Sequence, residues 1–541
     1  MADATVEFSF TLPERRRLEL QQGLVVCLPQ IFPLLQGALA SQLRRLQADR
    51  ASAAALTLLH STFATLTAFA EWANDDFMLR QDFASDLCAA LAIPELFLRV
   101  APVMEKLLRG AAARHTEVMT LMVQHVIQVA GMLLAAPAEQ QALYLPKAAE
   151  LLLIASRAHF ADMIVAHAAT RDAFVRVLLP LFADTNMRIS TPAAQMWVAL
   201  FRAHVAALAP PVAGQSAPTR VLPADMQQPV VSELLRVCVR HSTRTKEDAR
   251  DAFDNDDDFA AAFGGFRSHL MTLIRALAAL EPLFALQVAA EQLQAALAHA
   301  PDAPTAASVA AGVFNARGQM TMSHPQYVAY EAACVLLEIV LKQAPPALFQ
   351  ASGSGAGSAS APASGLPILE ALLSQILSRP SAEPVLLGRQ LFAVRLFVPL
   401  FQSNSAALSA ALELLFASVT FTPPAEVVSA AALASGAVAD VNAHLSDDTR
   451  ATRRRACHSL ISLAAAVPQH LLAVFQSLVQ RVVQVAGMAE TTDSERTSLF
   501  QFLVAARYAG ETGRRGDGET GRRKVDLFSL PITCTQSEMM S

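Results

Sequence analysis

The chain has 541 residues, 53% of them hydrophobic and only 16% charged, with a formal net charge of −5. That length buries one large apolar core or several smaller ones, and the negative balance excludes a polycation that coats nucleic acid with its whole surface, so any such site has to be a local basic patch. Aromatics at 6%, with Trp72 and Trp197 the only tryptophans, and the near absence of strand-like alternation exclude a β-sandwich or propeller and leave an all-α fold.

Residues 1–12 read as a flexible N-terminus without the basic start and apolar run of a secretory signal. From residue 13 to 350 the pattern is that of HEAT-like helical repeats. Leu24, Leu28, Ile31, Leu35, Leu39, Leu43 and Leu46 step by three or four along one stripe, in which Pro29 and Pro33 predict a kink or a break. Two uncharged stretches, Ala51–Ala70 and Val118–Ala138, are long enough to cross a bilayer. The first is rich in Ala, Ser and Thr and holds His60, and the second holds Gln124, His125 and Gln128, polar groups that are costly in hydrocarbon. Both therefore read as inner helices of a solenoid, with no membrane insertion. Pro210–Gln228 and Ala300–Ala311 read as loops.

Between the two loops, Glu247–Asp258 places seven carboxylates in twelve positions, among them Asp254, Asp256, Asp257 and Asp258, just before Phe259 and Phe263. Two readings fit: a solvated loop whose last acids favour a helix N-terminus, or a segment facing a basic partner.

Ala351–Gly365 is a low-complexity linker of Gly, Ala and Ser. Helical repeats resume over 366–508. There, a helix over about Thr452–Ala465 is followed by the turn Val467-Pro468-Gln469 and by the stripe Leu471, Phe475, Leu478, Val482 and Val485, packing back on it. Such pairs recur at about 40–47 residues in HEAT arrays. Residues 509–541 form a disordered repetitive tail, in which GETGRR occurs at Gly510–Arg515 and again at Gly518–Arg523.

No catalytic template is present: no HExxH, GxSxG, P-loop or strand-to-helix GxGxxG. The histidines are dispersed and the six cysteines lie apart without a CxxC, which fits buried thiols in a reducing compartment rather than a zinc site or a disulfide frame. The expectation is a protein without enzyme activity, cofactor or metal. The basic run Arg450-Ala-Thr-Arg453-Arg454-Arg455 enters a helix whose dipole favours acids at that end, so the arginines do not serve the dipole. They form either a solvated face or a phosphate-facing one, and phosphate contacts would give affinity and salt dependence rather than base reading.

Several of these stretches resemble, in order, members of the exportin-five family of the importin-β (karyopherin) superfamily. They are PERRRLELQQ at Pro13–Gln22, the helix with Glu71-Trp72, QMWVALFR at Gln195–Arg202 and FDNDDDFAAAF at Phe253–Phe263. FASVTF at Phe416–Phe421, RRRACHSLISL at Arg453–Leu463 and PQHLLAVF at Pro468–Phe475 follow. The resemblance covers about Pro13–Ala506 and implies a HEAT-repeat superhelical solenoid that carries structured RNA with a short 3′ overhang from nucleus to cytoplasm. Its implied partners are GTP-bound Ran, hairpin or double-stranded RNA and nuclear pore proteins, bound by a monomer. It also implies that the helix at Arg453–Ser459 lines a basic tunnel for the overhang, with Arg454 as the first RNA contact and His458 as a polar one. Arg453, Arg455 and Arg450 would stand on the same face or its edge. The family's Ran-gripping N-terminal helices would precede Pro13 and its long C-terminal half would follow Arg507, so the chain is expected to be a central portion. The alternative is another helical-repeat scaffold or karyopherin with protein cargo.

Overall fold

A computed structural model describes residues 14–515 apart from 71–77, 111–114, 209–221, 223, 246–252, 254, 300–304, 316–318, 350–364, 424–441 and 443–444. Trp72, Asp254, residues 1–12, all but the last residue of the expected linker and the second GETGRR copy lie outside the described residues. Those that are described are mostly helical, with no strand among them beyond one isolated bridge between Phe314 and Met320. They fall into two compact units, one of residues 1–241 and 246–277, the other of 242–245 and 278–541.

The first unit begins with α1 (Glu14–Ala48), α2 (Ala53–Phe69), α3 (Gln81–Leu91), α4 (Pro94–Leu108) and α5 (Thr116–Leu134). It continues with α6 (Ala138–His159), α7 (Ala168–Ala183), α8 (Met187–Leu208), α9 (Ala224–Ser242) and most of α10 (Asp256–Leu280). Neighbours pair as hairpins, α1 with α2, α3 with α4, α5 with α6 and α7 with α8. Each helix also packs on the one two places along: α3 on α5, α4 on α6, α5 on α7 and α6 on α8. That double pattern makes a solenoid, because a repeat then buries its apolar faces only against its neighbours.

Of the expected stripe on α1, Leu28, Leu39, Leu43 and Leu46 are nearly inaccessible while Ile31 and Leu35 are half-buried, and Phe32, outside that stripe, is buried with them. Pro29 and Pro33 do not break the helix: each removes one backbone donor, while the stripe on both sides packs against α2 and holds the segment helical. Prolines sit in the first turn of α4, where a missing N–H costs nothing, and inside α6, α7, α8 and α9.

Among the described residues, three segments, Val26–Ala48, Thr116–Leu134 and Pro384–Phe401, are long and apolar enough to cross a membrane. In the second, Gln124 donates to Thr170 Oγ1 on α7 at 2.9 Å, so a polar group of the uncharged stretch ties two helices of the solenoid together. Buried histidines do the same with backbone. His159, at the end of α6, bonds Leu108 O at the end of α4 at 2.7 Å, and His241 on α9 bonds Phe182 O on α7.

The second unit holds α11 (Pro282–Ala298), α12 (Pro325–Gln343), α13 (Leu366–Ser378), α14 (Pro384–Val394) and α15 (Ser405–Val419). After these come α16 (Asp447–Ala466), α17 (Pro468–Ala473), α18 (Phe475–Ala486) and α19 (Asp493–Arg515). Two rows alternate, α11–α13–α15 and α12–α14–α16. The expected partner of α16 is displaced. The stripe Leu471, Leu478, Val482 and Val485 is buried, but α18 packs on α19, and α19 is the helix that lies along α16. Residues 509–515, expected as tail, continue α19. The Glu and Arg of the first GETGRR copy are good helix formers, and its glycines cost only about 1 kcal/mol each in a helix already nucleated.

Candidate nucleic-acid interface

The basic run lies on α16, which begins before the arginines do. Ser446 caps the helix by accepting from Thr449 N at 3.2 Å, and Asp447 and Asp448 occupy the first turn, where the dipole favours them. The arginines therefore occupy the following turns, and the 3.6-residue period sorts them onto two faces. Thr449, Thr452, Arg453, Ala456, Cys457, Leu460 and Leu463 point into the unit, while Arg450, Arg454, Arg455 and His458 are exposed.

Arg453 is thus not a phosphate ligand. Its side chain is 0% exposed and every nitrogen is spent on protein. Nε donates to Phe421 O at 2.7 Å, Nη1 to Glu490 O at 2.8 Å and Asn442 Oδ1 at 3.1 Å, and Nη2 to Thr422 Oγ1 at 2.8 Å and Thr420 O at 3.3 Å. The Glu495 carboxylate, 3.7 Å from Nη1, supplies the counter-charge from the first turn of α19. A buried arginine is tolerated because its five donors are all satisfied.

Arg450 stands at the edge of the outer face, donating to Asn442 O at 3.3 Å, with Asp447 3.8 Å away. Arg454 and His458, four residues apart, share one stripe with Ala451 and Ser462. The Arg454 side chain has no hydrogen bond or ion pair among the described residues, so its charge is turned wholly to solvent. Arg455 leans the other way, across α14. A Cβ placed on Gly388 would come within 3.1 Å of Arg455 Nη1 and 3.0 Å of Thr452 Oγ1. The glycine in the middle of α14 is what lets the guanidinium lie on that helix.

Two arginines that the sequence reading did not single out come in from α14 and the turn after it. Arg389 donates to Tyr327 Oη at 3.2 Å and pairs with Glu331 Oε1 at 2.9 Å, both on α12. Arg395 lies 4.4 Å above the Phe392 ring. Partial burial against α14, together with the positive charges of Arg389 and Arg395, pulls the Arg455 guanidinium below the ordinary arginine range. The only sequence signal for this arrangement was Gly388, the single glycine of α14.

Of the acidic candidates, Asp257 and Asp258 are exposed in the first turn of α10. Asn255 and Asp258 bond reciprocally: Asp258 N donates to Asn255 Oδ1 and Asn255 Nδ2 to Asp258 Oδ2, each at 2.8 Å. Asp256 opens the same helix, and Phe253, Phe259 and Phe263 form a run of ring contacts beside it. Asp254 lies outside the described residues. The acids belong to the first unit and the basic face to the second.

Helix pairs stacked in two alternating rows are the architecture of the karyopherins. The solved structure titled "Importin13 cytosolic state" superposes with a TM-score of 0.54 over 91% of this chain and 52% of its own, at 11% identity, so the fold is a HEAT-repeat solenoid of that class. The family model described as Exportin-5 family matches residues 150–512, more than half of the chain and including the whole basic face, and the chain belongs to that family. Exportin-5 of Homo sapiens and of Mus musculus are each 26% identical to it over 261 residues. Those alignments take in 48% of this chain and 19% of either relative.

Proposed function

We propose that the chain is part of a nuclear export receptor, and that it carries structured RNA with a short 3′ overhang from nucleus to cytoplasm together with GTP-bound Ran. It acts by reversible binding, without bond chemistry, and its exposed α16 face receives the overhang. The observation that carries this is Arg454, an exposed arginine without a protein partner among the described residues, aligned with His458 inside the stretch that matches the family. Arg450 and Arg455 flank it. Guanidinium forks match phosphate oxygens in geometry as well as charge, and duplex RNA next to them would be read by shape and 2′-hydroxyls rather than by sequence. The acidic start of α10 belongs to this reading as a surface for a basic partner. So do the division of the chain into repeats at 13–350 and 366–508 around a linker at 351–365, and a monomer that meets nuclear pore proteins in passage.

The test is a fluorescence-anisotropy titration of the whole chain with an RNA hairpin bearing a two-nucleotide 3′ overhang, beside its blunt twin, with and without GTP-loaded Ran. The reading expects tighter binding of the overhang form, weakened by Arg454→Ala. Equal binding of both hairpins, unaffected by Arg454→Ala, refutes it in favour of a helical-repeat scaffold with protein cargo.

A further inference from the structure

We propose that Arg389, Arg395 and Arg455 form a phosphate-binding cluster on the α12–α14–α16 row, beside the Arg454–His458 face, with Glu331 as its internal counter-ion. The row brings together residues far apart in sequence. Tyr327 and Glu331 come from α12, Arg389 from α14, Arg395 from the turn that ends α14, and Arg455 from α16. Helix packing along the row puts these three layers in succession.

The charges do not balance. Among the described residues, Glu331 is the one carboxylate bonded to the cluster, through Arg389. Neither the Arg395 nor the Arg455 side chain has a hydrogen bond or ion pair among the described residues; Arg395 has only the Phe392 ring beneath it. Among the described residues, three guanidiniums against one carboxylate leave two positive charges unmatched. The positive charges of Arg389 and Arg395 both act on Arg455, and an anion relieves that repulsion.

The geometry holds these groups in place rather than letting them drift apart. Arg389 is fixed by two bonds, to the Tyr327 hydroxyl and the Glu331 carboxylate. Arg395 is propped on an aromatic face, and Arg455 rests where Gly388 leaves room for it. Pre-placed guanidinium groups bind with little loss of side-chain freedom, which favours an oxyanion with several acceptors. A phosphate group is such an oxyanion. It can arrive as a backbone phosphodiester or as a terminal phosphomonoester, and the two unmatched charges suit either two of the former or one of the latter. Phosphate binding as such does not depend on the transport reading; only the identification of RNA as the source rests on it.

The experiment uses the whole chain and starts with inorganic phosphate, followed by calorimetric titration against chloride at matched ionic strength. Saturable binding is expected, weakened about tenfold in Arg395→Gln and in Arg455→Gln, the loss of roughly one charge-assisted bond. Arg236→Gln, an exposed arginine of the other unit, serves as the control and should bind as the parent does. Glu331→Gln separates a ligand site from a merely structural cluster: it releases Arg389 and should tighten phosphate binding, whereas a structural role predicts no gain. Circular dichroism confirms that each variant is folded.

A second arm compares a short single-stranded RNA with and without a terminal phosphate. A gain from the terminal phosphate that disappears in Arg455→Gln identifies the monoester as ligand, and equal binding of both that falls in Arg455→Gln identifies the backbone. A response to phosphate no greater than to chloride, or the same in all variants, overturns the proposal. Phosphate binding that survives while overhang and blunt hairpins bind alike would leave this cluster standing and remove the transport reading.

Discussion

Arg453→Ala separates the two faces of α16 most sharply. The substitution removes a guanidinium that is 0% exposed and strands three backbone carbonyls, those of Thr420, Phe421 and Glu490, together with the Glu495 carboxylate. Removing one member of a buried charge pair costs about 3–5 kcal/mol. Each buried acceptor left unsatisfied costs about 1–3 kcal/mol, part of it recovered as water enters. A loss of at least about 3 kcal/mol is therefore expected, against about 0.5 kcal/mol or less for Arg454→Ala, which removes an exposed side chain with no bonded partner. A chain with two compact units does not unfold in one step, so a single midpoint would blur the effect. Hydrogen–deuterium exchange localises it: in Arg453→Ala, protection should fall in peptides covering 420–422 and 488–495, while the first unit is unchanged. If Arg453→Ala and Arg454→Ala have the same exchange pattern and stabilities within about 0.5 kcal/mol of each other, the division of α16 into a structural and a binding face is wrong.

Other outcomes follow from the same geometry. Arg454→Ala should lower the slope of log affinity against log salt for an overhang RNA by about 0.7, one single-strand phosphate contact, in an anisotropy series from low to moderate salt; an unchanged slope would place Arg454 off the phosphate path. Gly388→Ala should displace Arg455, the flexible neighbour, and crowd Thr452, which donates to Pro384 O at 2.6 Å. Phosphate affinity should drop while the melting temperature stays within a few degrees, because alanine favours the helix by about 1 kcal/mol. Glu383, buried as the cap of α14, has its carboxyl raised by burial, against which the N–H of Leu386 and its neighbours pull down. The folded state then holds its proton up to a higher pH than the unfolded chain does, so this residue's contribution improves as pH falls through the raised value and levels off below about 4.5. Glu383→Gln should be more stable than the parent at neutral pH, and the gap should close in acid; a parallel offset at all pH values would contradict this. In a Cys534→Ser background, a thiol reagent should label Cys27 first. Cys88, Cys334 and Cys457 should resist it, being buried with thiols pushed up to about 12, as should Cys238, which is pushed higher still.

The helical architecture was legible because it is written locally: a three-or-four-residue apolar step does not need a partner to be recognised. Most of the stripes on α1 and on α17–α18 lie buried where that step puts them, with Ile31, Leu35 and Phe475 half-buried. The fate of Arg453 was also within reach, since it stands four residues from Thr449 and four from Cys457, inside the buried stripe of its own helix. Its neighbours in an arginine run hid it, because a run of like residues invites one role for all of them. Arg389 and Arg395 could not be found in this way. Their link to Arg455 is a matter of which helices share a row, and that depends on packing between residues sixty or more positions apart. Of the kink or break that the two prolines of α1 predict, the break does not occur for a related reason: propensity is local, and the packed stripe around them overrides it.

The bonds of His159 and His241 have a consequence for how the chain is made. A helix normally finishes its last carbonyls with its own cap or with water. Here Leu108 O and Phe182 O are closed by a histidine that the ribosome adds 51 and 59 residues later. At those two points an emerging helix keeps a loose end until the helix two places on has docked. Each of the two histidines thereby latches the end of an earlier helix to a helix two places on. A chain cut between latch and carbonyl would leave its last helix frayed rather than capped.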